Sequence, residues 1–148
     1  MMYKGRSDSL KGELMRLSRI KSILACLIID ERGLVVSEFS KFNIDKNAMA
    51  VMSSLLVHSS NRFIPRLKLE NLISLSMYTL EGSLIIKEIP IPQLKRKFIL
   101  SLLIKNRGNN GNGRSKLKKF FNFTKSGNLN LSKEIDQTIK TIQTIFNQ

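Results

Sequence analysis

The sequence predicts an α+β domain, with helices packed on a largely antiparallel sheet. Three observations carry this. Short apolar segments rich in β-branched residues change character at every second position. Turn-forming residues join several of them directly, which makes them hairpins and therefore antiparallel. Apolar residues recur three and four apart near both ends and in one central segment, the period of amphipathic helices.

Taken in order, Ser7 to Lys21 reads as a helix capped by Ser7, Asp8 or Ser9. Leu10, Leu14, Leu17 and Ile20 form its stripe, and Gly12 weakens its first turn. Residues 23–29 and 34–39 read as strands around Asp30-Glu31-Arg32-Gly33. Asp opens that turn and Gly33 supplies the left-handed conformation that closes it. Asn43 or Asp45 caps a second helix, which Pro65 stops near Ile64. Residues 72–80 alternate Ile73, Leu75 and Met77 against Ser74, Ser76 and Tyr78, and Glu81-Gly82 turns this strand into the next, 84–89. A fifth strand, 96–104, carries Phe98, Leu100, Leu102 and Ile104 on one face. Leu131, Ile135, Ile139, Ile142 and Phe146 mark a last helix.

At 148 residues the chain has the size of one domain, and its 42% hydrophobic content is enough for a core. Charge or polar residues interrupt every apolar run before it is long enough to cross a bilayer, and residues 1–19 lack the pattern of a signal peptide. The single cysteine, Cys26, excludes an internal disulfide. A cytoplasmic location is expected, peripheral to a membrane in the alternative reading below. The net charge is +14, and half of it falls in residues 101–148, which hold nine basic and two acidic residues. Such a balance bears on polyanionic neighbours, not on fold.

The element order, the stretch LIIDERGLVVSEF (residues 27–39) and the long helix directly after it resemble the Roadblock family of dynein light chains and small-GTPase regulators. The shared signature is an apolar strand, an Asp-x-x-Gly hairpin, a second apolar strand, and a helix rich in Ala, Ser and Leu. The resemblance covers roughly residues 8–104 and the last helix. It implies a five-stranded antiparallel sheet with the second helix on one face and the two terminal helices on the other. It also implies a non-enzymatic scaffold or regulator that binds a small Ras-like GTPase. Dimerisation through the second helix and third strand is implied too, as a homodimer or as a heterodimer with another Roadblock-like chain. The sequence departs from the family in one place, a basic Asn/Gly/Lys-rich insertion at about 105–128 within the single domain 1–148.

The second helix adds a physical argument. From Asn47 to Asn61, NAMAVMSSLLVHSSN, only His58 can carry a charge. At 100° per residue, Ala48, Met49, Val51, Met52, Leu55 and Leu56 cover one broad face, expected on the sheet. Ala50, Ser53, Ser54, Val57 and Asn61 then lie on the outer side. A solvent-facing side would carry Lys and Glu. Cover is therefore expected, from elsewhere in the chain or from a partner chain, and the partner is the stronger expectation. The expected dimer surface is Ala50, Ser53, Ser54, Val57 and Asn61 with Ser74, Ser76 and Tyr78 of the third strand.

A search for catalytic chemistry finds little. Asp30 and Glu31 are adjacent in a hairpin beside Arg32, whereas acid–base catalysis needs a separated pair in a cleft. One His and one Cys exclude a His/Cys zinc site within one chain. Gly108 to Ser115 matches the P-loop pattern except that Arg114 replaces its lysine, and a sheet of hairpins is the wrong context for that motif. No catalytic residue, cofactor or metal is expected. The insertion holds the other feature: Arg114, Lys116, Lys118, Lys119 and Lys125 interleave with Phe120 and Phe121. This pattern fits a solvated loop whose phenylalanines pack on the domain. As contact residues they fit an anionic membrane surface first and nucleic acid second.

Overall fold

The computed structural model describes residues 2–105 and 128–148. Its elements are α1 (Met2–Leu17), β1 (Ile23–Asp30), β2 (Val35–Ser40), α2 (Lys46–Phe63), β3 (Leu75–Tyr78), β4 (Gly82–Ile91), β5 (Arg96–Lys105) and α3 (Asn128–Phe146). The five strands form one antiparallel sheet in the order β2-β1-β5-β4-β3, so the α+β expectation is met. The most apolar strands, β1 and β5, lie near the centre, where both faces are buried.

Alternation along the strands assigns each residue a layer. Cys26, Ile28, Ile89, Leu100 and Leu102 face α1 and α3, whose Leu10, Leu14, Leu17, Leu131, Ile135 and Ile142 complete that core. Phe98 and Phe146 stack there, with ring centroids 4.3 Å apart. The two helices are also tied at their flanks: Arg16 donates to Glu13 (2.8 Å), to Glu134 (2.8 Å) and to Thr138 (3.1 Å). Ala25, Leu27, Ile29, Leu84, Ile86 and Ile99 point the other way and are covered by α2.

The largest differences from the sequence reading fall in three elements. α1 runs from Met2 to Leu17 instead of Ser7 to Lys21, so Ser7, Asp8 and Ser9 lie inside the helix and do not cap it. β3 is limited to Leu75–Tyr78, the four residues that pair with Ser83–Ile86, although Leu72 still packs partly against the core. β4 continues through Pro90, paired with Lys97 near the end of its ladder, where the missing N–H costs least. Residues 106–127, the core of the basic insertion, lie outside the described residues. So do Arg114, Lys116, Lys118, Lys119, Phe120, Phe121 and Lys125.

Candidate interaction surface

The β1–β2 hairpin is a turn whose polar groups are occupied. Asp30 Oδ1 accepts from the N–H groups of Arg32 and Leu34, both at 2.9 Å, and the Asp30 carbonyl accepts from Gly33 N–H at 3.0 Å. Burial alone would raise the Asp30 pKa. The hydrogen bonds from Leu34 and Arg32 and the Arg32 charge outweigh it, and the pKa is lowered. Gly33 has φ +84°, the left-handed conformation the turn requires. Glu31 points away from Asp30: its Oε1 accepts from Lys97 N–H at 2.9 Å. The two carboxylates thus face separate partners.

The same hairpin is the seat of α2. The Glu31 carbonyl accepts from Ser54 Oγ (3.3 Å) and from His58 Nε2 (3.0 Å), which fixes the His58 tautomer as Nε2–H for that bond. A Cβ on Gly33 would meet Ser54 Cβ at 3.4 Å, so helix and turn approach closely. Asp45 caps the helix by accepting from Ala48 N–H at 2.9 Å, one of the two caps expected.

Met49 packs on the sheet as expected, but the rest of the α2 face that meets the sheet is the reverse of the one expected. Met49, Ala50, Ser53, Ser54 and Val57 are buried against the strands. Ala50, Ser53, Ser54 and Val57 therefore lie on the inner side and are not available to a second chain. The reason is volume. The sheet face already carries large aliphatics, and a helix side of Ala and Ser lets the two backbones come close. Its two hydroxyls are satisfied: Ser54 donates to the Glu31 carbonyl, and Ser53 Oγ donates to the Met49 carbonyl (2.7 Å), so Ser101 Oγ donates to Ser53 Oγ (2.8 Å). Among the described residues no buried side-chain polar atom lacks a partner.

The larger residues consequently turn outward. Val51, Met52 and Leu55 are 52%, 38% and 61% exposed, and Ala48 beside them is exposed as well. Leu56 remains at the margin, partly buried against the core. The result is an apolar outer strip without a charged residue from Asn47 to Asn61. Asn61, exposed as expected, donates to Glu88 at 2.7 Å and is held to the chain's own sheet. β3 forms the outer edge of the sheet on this side, with Met77 exposed. Ser76 and Tyr78 of that strand, with Ser74 just before it, are exposed toward the other side of the sheet, where they line a groove with Lys87 of β4 and Leu131 and Ile135 of α3. The structure therefore separates the two groups of residues predicted to share one dimer surface.

Other candidate chemistry resolves simply. Cys26 is enclosed in the core, and burial pushes its thiol up to about 12, far from a reactive range. Among the described residues no group of His, Cys, Asp and Glu could hold a metal ion, and no helix is long and apolar enough to cross a membrane.

No protein-family model and no curated protein matches the sequence. Solved structures do match the fold. The chain is similar to MglB of Myxococcus xanthus, with a TM-score of 0.67 and 14% identity over 93% of this chain and 94% of that one. It is similar to a Roadblock/LC7 domain from Streptomyces avermitilis, with a TM-score of 0.70 and 11% identity over 93% and 98%. It is also similar to a structure described as MglB with tetrameric arrangement, with a TM-score of 0.69 and 10% identity over 95% and 89%. At these identities it is the fold that is shared, and the chain has the Roadblock/LC7 fold.

Proposed function

We propose that this chain is a cytoplasmic, non-catalytic scaffold or regulator of small-GTPase signalling, working as a dimer built on the outer face of α2. The observation that carries this is the apolar strip of Val51, Met52 and Leu55. It faces away from the chain's own core, yet no charge interrupts it. Large exposed apolar residues without interleaved Lys or Glu mark an interface. A surface free of charge can meet its own copy across a two-fold axis without repulsion. The edge position of β3 in the sheet gives a second chain a strand to extend. The MglB structure described as a tetrameric arrangement supports the idea that this fold assembles with its own copies.

A small Ras-like GTPase as partner is what the resemblance to the Roadblock family implies, its warrant is analogy, and the shared Roadblock/LC7 fold supports the resemblance. Affinity capture from the native cell extract, loaded with GDP or with a non-hydrolysable GTP analogue and read by mass spectrometry, tests it. The expected result is one small GTPase enriched in one nucleotide state. Recovery of no GTPase in either state would overturn the assignment. The purified chain by itself is expected to turn over no nucleotide.

A further inference from the structure

The connection from α2 to β3 has a chemistry of its own. Residues 62–73 read RFIPRLKLENLI, with three basic residues and one acidic residue among six large apolar ones. The chain leaves α2 through a 3-10 turn, Ile64–Leu67, which Lys68 ends in the left-handed conformation at φ 57°. This turn packs principally on the end of α2, not on the sheet. Large side chains along this connection are exposed: Phe63 at the end of α2, Leu67 in the turn, and Leu69 and Ile73 beyond it are 57%, 67%, 60% and 78% exposed. Arg66 stands 5.8 Å from the centre of the Phe63 ring, so cation and ring share one surface.

We propose that this tip docks on an anionic lipid bilayer, with the four apolar side chains entering the interface and Arg62, Arg66 and Lys68 meeting lipid phosphates. Charge complementarity selects that occupant. A second copy would bring the same cations to the tip on a chain of net charge +14, and like charges would oppose the contact. The strip on α2 has no charge and presents no such obstacle. Arg and Lys stems can lie along apolar surface while their heads stay among phosphates, so the basic residues need not withdraw as the leucines enter. The inference does not depend on the GTPase reading.

The chain contains no tryptophan, so a Phe63→Trp variant of the full chain reports from the tip alone. Its binding to vesicles of phosphatidylserine with phosphatidylcholine, and to pure phosphatidylcholine, is measured by sedimentation and by emission. The expected result is binding to the anionic vesicles only, weakened by salt, with a blue-shifted emission that brominated lipid quenches. Each cation contributes about fivefold, so Arg62→Gln with Arg66→Gln and Lys68→Gln lowers partitioning on the order of a hundredfold. Leu67→Ser with Leu69→Ser removes the blue shift. Sedimentation with neither vesicle overturns the proposal. So does sedimentation with unchanged emission, which places the contact elsewhere on the chain. A blue shift that follows protein concentration without lipid also overturns it, because a protein then covers the tip.

Discussion

The two sides of the sheet are covered in opposite ways. On one side α1 and α3 bring Leu14, Leu17, Ile135 and Ile142 inward, and their charged residues stay at the surface or pair across the helices, as Arg16 does with Glu134. On the other side a single helix brings Ala50, Ser53 and Ser54 inward and leaves Val51, Met52 and Leu55 outside. The first layer is a finished core. The second is finished only toward its own sheet. In this fold the orientation of a helix is decided by how closely it must approach the sheet, and hydrophobicity left over on the other side is free to serve association.

Opposite changes of volume should separate the two layers. Ile142→Ala empties space in the two-helix core, where Ile142 is fully buried, and should cost about 2–5 kcal/mol. Ala50→Leu adds volume where the helix must lie close, and should cost about 1–3 kcal/mol through overpacking. Urea unfolding at one fixed protein concentration checks both, because stability of an associating chain depends on concentration. If Ala50→Leu were neutral, the close approach of α2 would be wrong.

A smaller effect tests the hairpin on which α2 sits. The folded pKa of Asp30 is lowered, so the unfolded chain takes up the proton more readily. Its contribution is complete above the ordinary Asp value of about 3.9 and is lost as pH falls through the folded pKa. Asp30→Asn should remove that part of the acid dependence, and the whole effect should be below about 1 kcal/mol. Urea midpoints between neutral and acidic pH, for both proteins, measure it. An identical pH slope in wild type and variant would show that the turn is held by other groups.

Much of this was legible in the sequence, for identifiable reasons. Period-two alternation found the strands, and Gly33 with Asp30 marked the hairpin, because turn chemistry and strand period are local. The resemblance to the Roadblock family indicated which helix covers which face. The orientation of α2 was not legible. Between Asn47 and Asn61 neither side of that helix carries Lys, Arg, Asp or Glu, so a helical wheel ranks the sides by hydrophobicity and chooses the Val51–Leu55 side. What decides is tertiary: large aliphatics at Leu27, Ile29, Leu84 and Ile86, and a hydroxyl at Ser101 that needs Ser53. A cue was present in the run of small residues, Ala50, Ser53 and Ser54, which reads as close packing once a bulky sheet face is known. The exposed tip at Phe63 and Leu67 escaped notice because its apolar residues continue the helical pattern into a turn.

The central claim is that the outer strip of α2 is the surface of association, and the oligomeric state of Leu55→Lys tests it most directly. Leu55 is 61% exposed, so the substitution should leave the fold of the single chain intact. In a two-fold contact it would place a charge of the same sign from each chain in an apolar interface. Sedimentation velocity across the micromolar range should show a dimer for wild type and a monomer for Leu55→Lys, with the same helical circular dichroism in both. A wild-type monomer, or a Leu55→Lys variant that remains a dimer, would contradict the account.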